Sequence, residues 1–267
     1  MEKYDVQFKK KYGQNFLKNH NVVHKIVDVA DIKDSSLVIE VGPGGGIMTE
    51  ELAKRASFVL AYEIDCDLEE EQNKRLSSYS NVEIRYCDFL KQDLFADIQN
   101  FSYEHCYFIS NIPYNITSPI VLKLLFSNVK FDRIVLMVQK EVGDRFSATP
   151  GSKLYGSITV LLQYFYDVKK NFIVSKNEFV PSPKVDSVVV SFIPRENRSV
   201  SVHHFSSFEK LVRDSFQFKR KTIKNNLKKY DLSIVSDVLA QYSYDLSVRA
   251  ENLSVDIFVA LANTLFP

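Results

Sequence analysis

The sequence predicts an α/β fold in which helices cover a mostly parallel β-sheet, followed by a small helical C-terminal domain. The first observation is a regular alternation, from Leu37 to about residue 193, of short apolar runs typical of buried strands with segments at helical spacing. Strands joined through helices run parallel and are covered on both faces. The second observation is a change of pattern after Pro194, beyond which helical spacing continues without strand signals.

Each element follows from its own pattern. Strands are predicted where β-branched and aromatic residues cluster in short runs, and helices where apolar residues recur every three or four positions. The first part of the chain has a strand at 37–42, a helix at 48–56, a strand at 58–65, a charged helix, and strands at 82–88 and 105–111. A helix at 118–126, a strand at 133–140 and a helix at 158–166 precede closing strands at 169–176 and 185–193.

The change of pattern near residues 194–203 predicts a domain boundary. We expect residues 1–198 to form the main domain with a basic N-terminal arm, and residues 199–267 to form a helical domain. Helices of this second domain are predicted at 205–216, 234–243 and 255–265.

Composition places the chain among globular proteins and excludes other classes. Of its 267 residues, 45% are hydrophobic and 25% charged, which excludes disordered and collagen-like chains. The longest aliphatic run, 134–138, is far shorter than the roughly 18 residues of a membrane span, and the lysine-rich N-terminus lacks a signal peptide's apolar core. Three dispersed cysteines and five histidines without ligand spacing predict a reduced, cytoplasmic protein that binds no metal.

The balanced total charge hides two basic segments. Residues 195–229 carry ten basic against three acidic residues, and residues 1–18 carry five lysines against two acidic residues. A charged run alone is usually a solvated helix face. Two basic segments that flank an acidic body also fit a polyanionic partner such as nucleic acid.

A glycine-rich turn, EVGPGGG at 40–46, follows the first predicted strand of the sheet and precedes a helix. Glycines there let the backbone approach a ligand at the carboxyl ends of the strands, where open α/β sheets bind cofactors. A dinucleotide fingerprint needs glycine at position 47, which is Ile47, so the turn favours a nucleoside without a pyrophosphate. The alternative is a tight turn that binds nothing.

Acidic residues end the next two strands. Glu63 follows the glycines at the distance of a ribose ligand, and Asp88 is placed to accept a hydrogen bond from an adenine amine. One acidic residue at a strand end is usually a solvated loop residue. A glycine-rich turn and two acidic strand ends in succession describe an adenosine pocket.

The most specific motif, Asn111-Ile112-Pro113-Tyr114, ends the fourth strand. An aromatic exocyclic amine is a poor nucleophile because its lone pair is delocalised into the ring. Two acceptors on its hydrogens, the Asn111 side-chain oxygen and the Ile112 carbonyl, would localise that lone pair. Pro113 would stiffen the turn, and Tyr114 would stack on an extruded base.

Eight motifs together resemble one known family, the ribosomal RNA adenine N6,N6-dimethyltransferases that modify two adjacent adenines near the 3′ end of 16S rRNA. They are GQNFL at 13–17, EVGPGGG at 40–46, NIPYNITSP at 111–119, QKEV at 139–142, PGSK at 150–153, FVPSPKVDS at 179–187, RKT at 220–222 and RAE at 249–251. The resemblance implies a Rossmann-like sheet with an antiparallel strand inserted at its edge.

The same resemblance implies the ligands and partners. S-adenosylmethionine would be bound by Asn15, Leu17, Gly42, Glu63, Asp88 and Asn111. The substrate would be 16S rRNA in a small ribosomal subunit or its precursor, and we expect a monomer without a metal ion. RNA phosphates would be contacted by Lys9, Lys10, Lys11, Lys184, Lys219, Arg220, Lys221 and Lys224.

Phe179 begins the FVPSPKVDS segment, which we expect to face the Asn111–Tyr114 turn. Its ring would stack on the target adenine opposite Tyr114. The competing interpretation is that Phe179 is buried, as most of the 20 phenylalanines must be.

Three other functions stay open at this point. One is the related family that methylates an adenine in 23S rRNA, although FVPSPKVDS, the PGSKLYG loop and RAENLS favour the 16S family. Another is an inactive relative that acts as an assembly factor, against which the intact pocket residues argue. The third is a nicotinamide oxidoreductase.

Ser157 stands where we expect a basic residue, so one RNA contact is expected to be missing there.

Overall fold

The computed structural model describes residues 13–195 and 201–267. The predicted RNA contacts Lys9, Lys10 and Lys11 lie outside these residues. The described chain forms two compact units. One contains residues 13–143 and 169–194, and the other contains residues 144–168, 195 and 201–267.

The sheet confirms the predicted α/β class. Its strands are β2 (Ser36–Val41), β3 (Phe58–Glu63), β4 (Val82–Tyr86), β5 (His105–Asn111), β6 (Arg133–Gln139), β7 (Tyr166–Val174) and β9 (Ser187–Pro194). Their order in the sheet is β4-β3-β2-β5-β6-β9-β7. The strands from β4 to β6 pair in parallel, and β9 pairs antiparallel to β6. The antiparallel strand β9 therefore lies near the edge of the sheet that the resemblance implies, between β6 and the edge strand β7.

The strand order reverses at β2, which fixes the position of a crevice. From β2 the chain continues outward on one side through β3 and β4, then crosses to the other side and continues through β5 and β6. Helices that follow β2 and β5 consequently leave in opposite directions. Open α/β sheets bind ligands beyond the carboxyl ends of the strands at such a reversal.

The helices of this first unit include those predicted from helical spacing. They are α1 (His20–Ala30), α2 (Ile47–Ala53), α3 (Glu69–Leu76), α4 (Leu94–Ile98) and α5 (Thr117–Phe126), followed by α6 (Lys140–Phe146), which continues into the second unit. Helix α1 was not among the predicted elements. The Asn19 side chain caps it by accepting from the Asn21 amide, and its apolar residues recur at helical spacing on a buried face.

The start of the described chain is held by a short antiparallel ladder. Strand β1 (Phe16–Leu17) pairs with β8 (Phe179–Val180), so that Leu17 lies opposite Phe179. The Asn19 amide group donates to the Glu178 carboxylate at 2.8 Å. Two-residue strands carry too little pattern for sequence prediction, yet this ladder sets the path of residues 13–17.

The second unit is helical. It contains α7 (Ser157–Phe165), α8 (Phe205–Ser215), α9 (Ile223–Asn226), α10 (Leu232–Gln241) and α11 (Val255–Leu265). Helix α7 lies on the N-terminal side of the predicted boundary at 198, but it packs with the C-terminal helices through aromatic rings: the Tyr164 and Phe208 centroids are 4.8 Å apart. Within the described ranges, no helix combines the length and apolar character needed to cross a bilayer.

Candidate active site

A cavity opens in the first unit at the carboxyl ends of β2, β3 and β5 and beside the loop after β4, and encloses about 960 Å³ including its mouth. Its position matches the crevice that the strand order creates. All of the described residues predicted for cofactor binding and for the reacting turn line it: Asn15, Leu17, Gly42, Glu63, Asp88, Asn111, Ile112, Pro113 and Tyr114. The fold thus brings together residues nearly 100 positions apart in the sequence.

The glycine turn is required by the packing of the protein itself. Gly42 and Gly44 have φ angles of 73° and 57°, in the left-handed region that side chains disfavour. A Cβ atom on Gly44 would lie 2.9 Å from Cε1 of Phe16. Gly44 therefore makes room for the aromatic ring of β1 in addition to shaping the cavity, which the motif alone did not indicate.

Glu63 lies at the end of β3 and is only 4% exposed. Its two carboxylate oxygens accept the amide hydrogens of Gly44, at 3.1 Å, and of Asp65, at 2.9 Å. Burial raises the pKa of Glu63 in spite of these backbone hydrogen bonds. A carboxylate has about four acceptor positions, and the backbone amides of Gly44, Asp65 and Ile64 occupy at most three of them, so the fixed carboxylate can still accept from a ribose hydroxyl.

Glu40 is a second buried carboxyl of the cavity, and it was not among the predicted site residues. Its Oε2 accepts from the Thr49 hydroxyl at 2.7 Å, while its Oε1 has no partner among the described residues. Burial, together with the nearby Glu63 charge, raises the pKa of Glu40 to about 8. A glutamate inside an otherwise apolar strand is itself a sequence signal, because burying an uncompensated carboxyl is costly.

Asp88 lies two residues beyond β4, which ends at Tyr86 rather than at the predicted residue 88, and its side chain shapes the loop that follows. Its Oδ1 accepts the Leu90 amide hydrogen at 3.0 Å. Lys123, from α5, donates to the Leu90 carbonyl at 3.2 Å, and its amine lies 5.5 Å from the Phe89 ring centroid. Lys123 therefore holds the Asp88 loop from behind, a role that no motif indicated.

The Asn111–Tyr114 turn is held at both ends. The Asn111 side-chain amide donates to the Asn15 carbonyl at 3.2 Å, so its oxygen remains as an acceptor with no donor among the described residues. The Tyr114 hydroxyl and the Ser187 hydroxyl are 2.7 Å apart and share a hydrogen bond. Burial raises the pKa of Tyr114, which keeps the phenol neutral.

Phe179 is not brought into the cavity. It is 2% exposed, belongs to the apolar core of the first unit and is absent from the cavity wall. Its pairing with Leu17 explains this position, because the β1–β8 ladder holds the start of the segment against the core. In this structure Phe179 is therefore a buried core residue, as the competing interpretation states. For Phe179 to stack on a base, its ring would have to leave the apolar core.

The predicted RNA-binding residues of the helical unit are exposed. Lys219, Arg220 and Lys221 lie on the turn between α8 and α9, and Lys224 lies on α9. None of the four forms an ion pair within the described parts of the chain. Lys184, in the first unit, is exposed as well. Across residues 13–195 and 201–267, no group of three histidine, cysteine, aspartate or glutamate side chains is placed to hold a metal ion.

The fold and the site together define a class. A mostly parallel sheet with a reversal at β2, a glycine turn and acidic strand ends around one cavity is the Rossmann-like architecture of a methyltransferase. The ribosomal RNA adenine dimethylase family matches residues 5–265, and the chain belongs to this family. The family resemblance predicted from the motifs is thereby confirmed.

Individual relatives agree with this assignment. A protein of Bacillus pumilus (strain SAFR-032) named ribosomal RNA small subunit methyltransferase A is 42% identical over 273 residues, which cover 99% of this chain and 94% of the relative. A solved dimethyladenosine transferase from Plasmodium falciparum is 31% identical with a TM-score of 0.76, over 92% of this chain and 95% of that one. The 23S rRNA methyltransferase ErmE is 26% identical with a TM-score of 0.75, over 95% and 100%.

The buried carboxyl of Glu40 predicts a specific pH dependence of stability. Its pKa is higher in the folded protein, about 8, than in the unfolded chain, so the folded state binds the extra proton between about pH 4.5 and pH 8. The free energy of unfolding should therefore fall as the pH rises through this window. Relative to the Glu40→Gln variant, we expect the parent to lose roughly 4 kcal/mol between pH 5 and pH 8.5.

Urea unfolding of both proteins at several pH values measures this difference. Because glutamine cannot titrate, the variant supplies the reference slope from all other groups. Parallel stability curves for the two proteins would show that Glu40 is ionised in the folded state at neutral pH.

Proposed function

We propose that this protein transfers methyl groups from S-adenosylmethionine to the N6 amines of two adjacent adenines near the 3′ end of 16S rRNA, in a small ribosomal subunit or its precursor. The observation that carries the proposal is the pair of acceptors at the Asn111 turn. Asn111 and Ile112 line a cavity whose other residues suit an adenosine, and the Asn111 amide donates to Asn15, so that its side-chain oxygen stays available as an acceptor.

The residues of the cavity fit the cofactor in charge as well as in shape. S-adenosylmethionine supplies an electrophilic methyl group on a sulfonium and carries a cationic amino group. Glu40 presents an unpartnered Oε1, which a cationic group would satisfy. Glu63 can accept from ribose hydroxyls and Asp88 from the adenine amine, while Asn15, Leu17 and Gly42 complete the wall.

The chain's own contribution to the reaction is positioning. Asn111 and Ile112 accept the two hydrogens of the target amine and thereby localise its lone pair toward the cavity. The hydrogen bond to Asn15 fixes which side of Asn111 faces the amine. Tyr114, anchored through Ser187, offers its ring to the extruded base. The amine becomes acidic only after methylation, so no dedicated general base is required, and alignment accounts for most of the rate enhancement.

The choice of 16S over 23S rRNA rests on sequence rather than on fold. The two solved relatives have nearly equal TM-scores, 0.76 and 0.75, so the architecture does not separate them. The relative named for the small subunit is 42% identical, whereas the 23S rRNA methyltransferase ErmE is 26% identical. The FVPSPKVDS and RAENLS segments favour the same choice.

The remaining parts of the proposal concern the partner and the setting. Lys184 and the turn at Lys219–Lys221 would bind RNA phosphates, which position the substrate without reading its sequence. Residues 199–267 would act as the RNA-binding domain and residues 1–198 as the catalytic domain. We expect a monomer that needs no metal and works in the cytoplasm, where its ribosomal substrate would be found.

A methyl-transfer assay tests both the chemistry and the substrate. We expect the protein to convert adenines to dimethyladenosine in undermethylated small subunits and to leave protein-free 23S rRNA unmodified, as identified by mass spectrometry of the nucleosides. Asn111→Ala should reduce transfer at least a hundredfold while RNA affinity stays within about twofold, because the substitution removes an acceptor from the reacting amine and no contact to phosphate.

The exposed Asn73→Ala variant, on α3, is the matched control and should keep full activity. Turnover by Asn111→Ala within a few-fold of the parent would overturn the assigned role of Asn111. Label in 23S rRNA would instead assign the protein to the related family that methylates 23S rRNA. Tight RNA binding without any label would favour an assembly factor.

The basic turn predicts a change in salt dependence. Replacing Lys219, Arg220 and Lys221 by glutamine should weaken RNA binding and reduce the slope of log affinity against log salt by roughly one unit per lost phosphate contact. The measurement is fluorescence anisotropy of a labelled RNA over a series of salt concentrations. Three exposed lysines of the first unit, Lys33, Lys74 and Lys130, provide a control triple with the same change in charge. Equal salt slopes for the two triple variants would show that the basic turn does not contact the RNA.

A further inference from the structure

Phe218 is an exposed aromatic residue inside the basic turn. It is 55% exposed, the highest value of any phenylalanine in the described parts of the chain. Residues 216–222 connect α8 to α9, and Lys219, Arg220 and Lys221 follow Phe218 directly. A single exposed apolar residue is ordinary by itself, but here the exposed ring is followed directly by three cations, which combines an aromatic face with positive charge.

The backbone of this turn is held rigidly by Asn226. Its side-chain oxygen accepts the Phe218 amide hydrogen at 3.0 Å, and its side-chain nitrogen donates to the Phe218 carbonyl at 3.3 Å. The Phe218 carbonyl also accepts the Lys221 amide hydrogen at 2.9 Å. Asn226 is only 6% exposed, so its side chain is held in place by the surrounding residues. The ring is therefore presented from a pre-organised backbone and needs little ordering on binding.

The three cations beside the ring define the chemistry of what would bind. Their side chains are exposed, and none is neutralised by a carboxylate within the described residues. The Lys219 amine donates to the Lys153 carbonyl, which fixes its charge near the turn without neutralising it. An aromatic face next to uncompensated cations matches a nucleotide, whose base stacks while the neighbouring phosphates pair with the cations. An acidic peptide would account for the cations but not for the ring.

We propose that Phe218 is a stacking site for an unpaired base of the RNA substrate, with Lys219, Arg220 and Lys221 contacting the flanking phosphates. The proposal rests on the proposed RNA-binding function of the basic turn and goes further, because it names a single-stranded segment as the ligand. Bases in a duplex are stacked on each other and offer no free face, so a double-stranded RNA would not engage the ring.

Affinity measurements with a single-stranded oligoribonucleotide test the site. Phe218→Ala should weaken binding about tenfold, a typical effect of losing one base–aromatic stack. The salt slope should stay at the parent value because no charge is removed. Tyr242→Ala, which truncates another exposed aromatic of the same unit, is the matched control and should bind like the parent. Phe218→Tyr should restore the affinity, since a stacking face is retained.

A spectroscopic readout reports stacking directly. The chain contains 14 tyrosines but no tryptophan, so Phe218→Trp introduces a single tryptophan at the site, which can be excited selectively at wavelengths that tyrosine does not absorb. Its emission should be quenched by the single-stranded oligonucleotide. An oligonucleotide of equal length and charge that is abasic throughout should leave the emission unchanged, and so should a duplex.

The outcomes separate this proposal from the one on which it depends. A tenfold loss for Phe218→Ala at constant salt slope, with base-dependent quenching, establishes the stacking site. If neutralising the three cations lowers the salt slope but Phe218→Ala binds normally and the tryptophan is not quenched, the stacking site is wrong and RNA binding by the turn stands. If neither substitution changes RNA binding, both are wrong.

Discussion

The parallel pairing of β2 with β3 and β5 is the constraint on which the site depends. It places the carboxyl ends of these strands side by side, so that the glycine turn, Glu63 and Asn111 meet around one cavity. The reversal of strand order at β2 opens the space between the helices that follow. A one-residue slip in this register would turn Glu63 away from the Gly44 amide. The proposed chemistry therefore depends first on the register of these strands, because the register is what brings the individual side chains together.

The cavity also contains two buried carboxyl groups. Glu40 and Glu63 are both buried, and burial raises the pKa of each carboxyl. With a pKa of about 8, Glu40 is mostly protonated at neutral pH, because desolvation and the nearby Glu63 charge penalise its ionised form; ionising both carboxyls has a free-energy cost. A cationic cofactor would offset this cost when it binds. The arrangement explains why a protein would retain a glutamate with an unpartnered oxygen inside a β-strand.

Many strands and helices and most residues of the cavity could be predicted from the sequence, because strand ends and glycine turns leave local signals. The glycine motif, Glu63, Asp88 and the Asn111 turn each follow an apolar run, and parallel strands bring such ends together. Contacts between distant segments left no such signal. The β1–β8 ladder is two residues long, and it is what buries Phe179 and brings Phe16 against Gly44. Helix α7 was predicted correctly as a helix, but its aromatic packing partners on α8 are more than 40 residues away.

The central claim is that this cavity binds S-adenosylmethionine, and calorimetric titration of the protein tests it most directly. We predict one S-adenosylmethionine bound per chain, a strong loss of affinity in Glu63→Ala, and no heat on titration with NAD⁺, because position 47 is Ile47 rather than glycine. Binding of NAD⁺ in place of S-adenosylmethionine, or S-adenosylmethionine affinity unchanged in Glu63→Ala, would contradict the assignment of the cavity as the S-adenosylmethionine site.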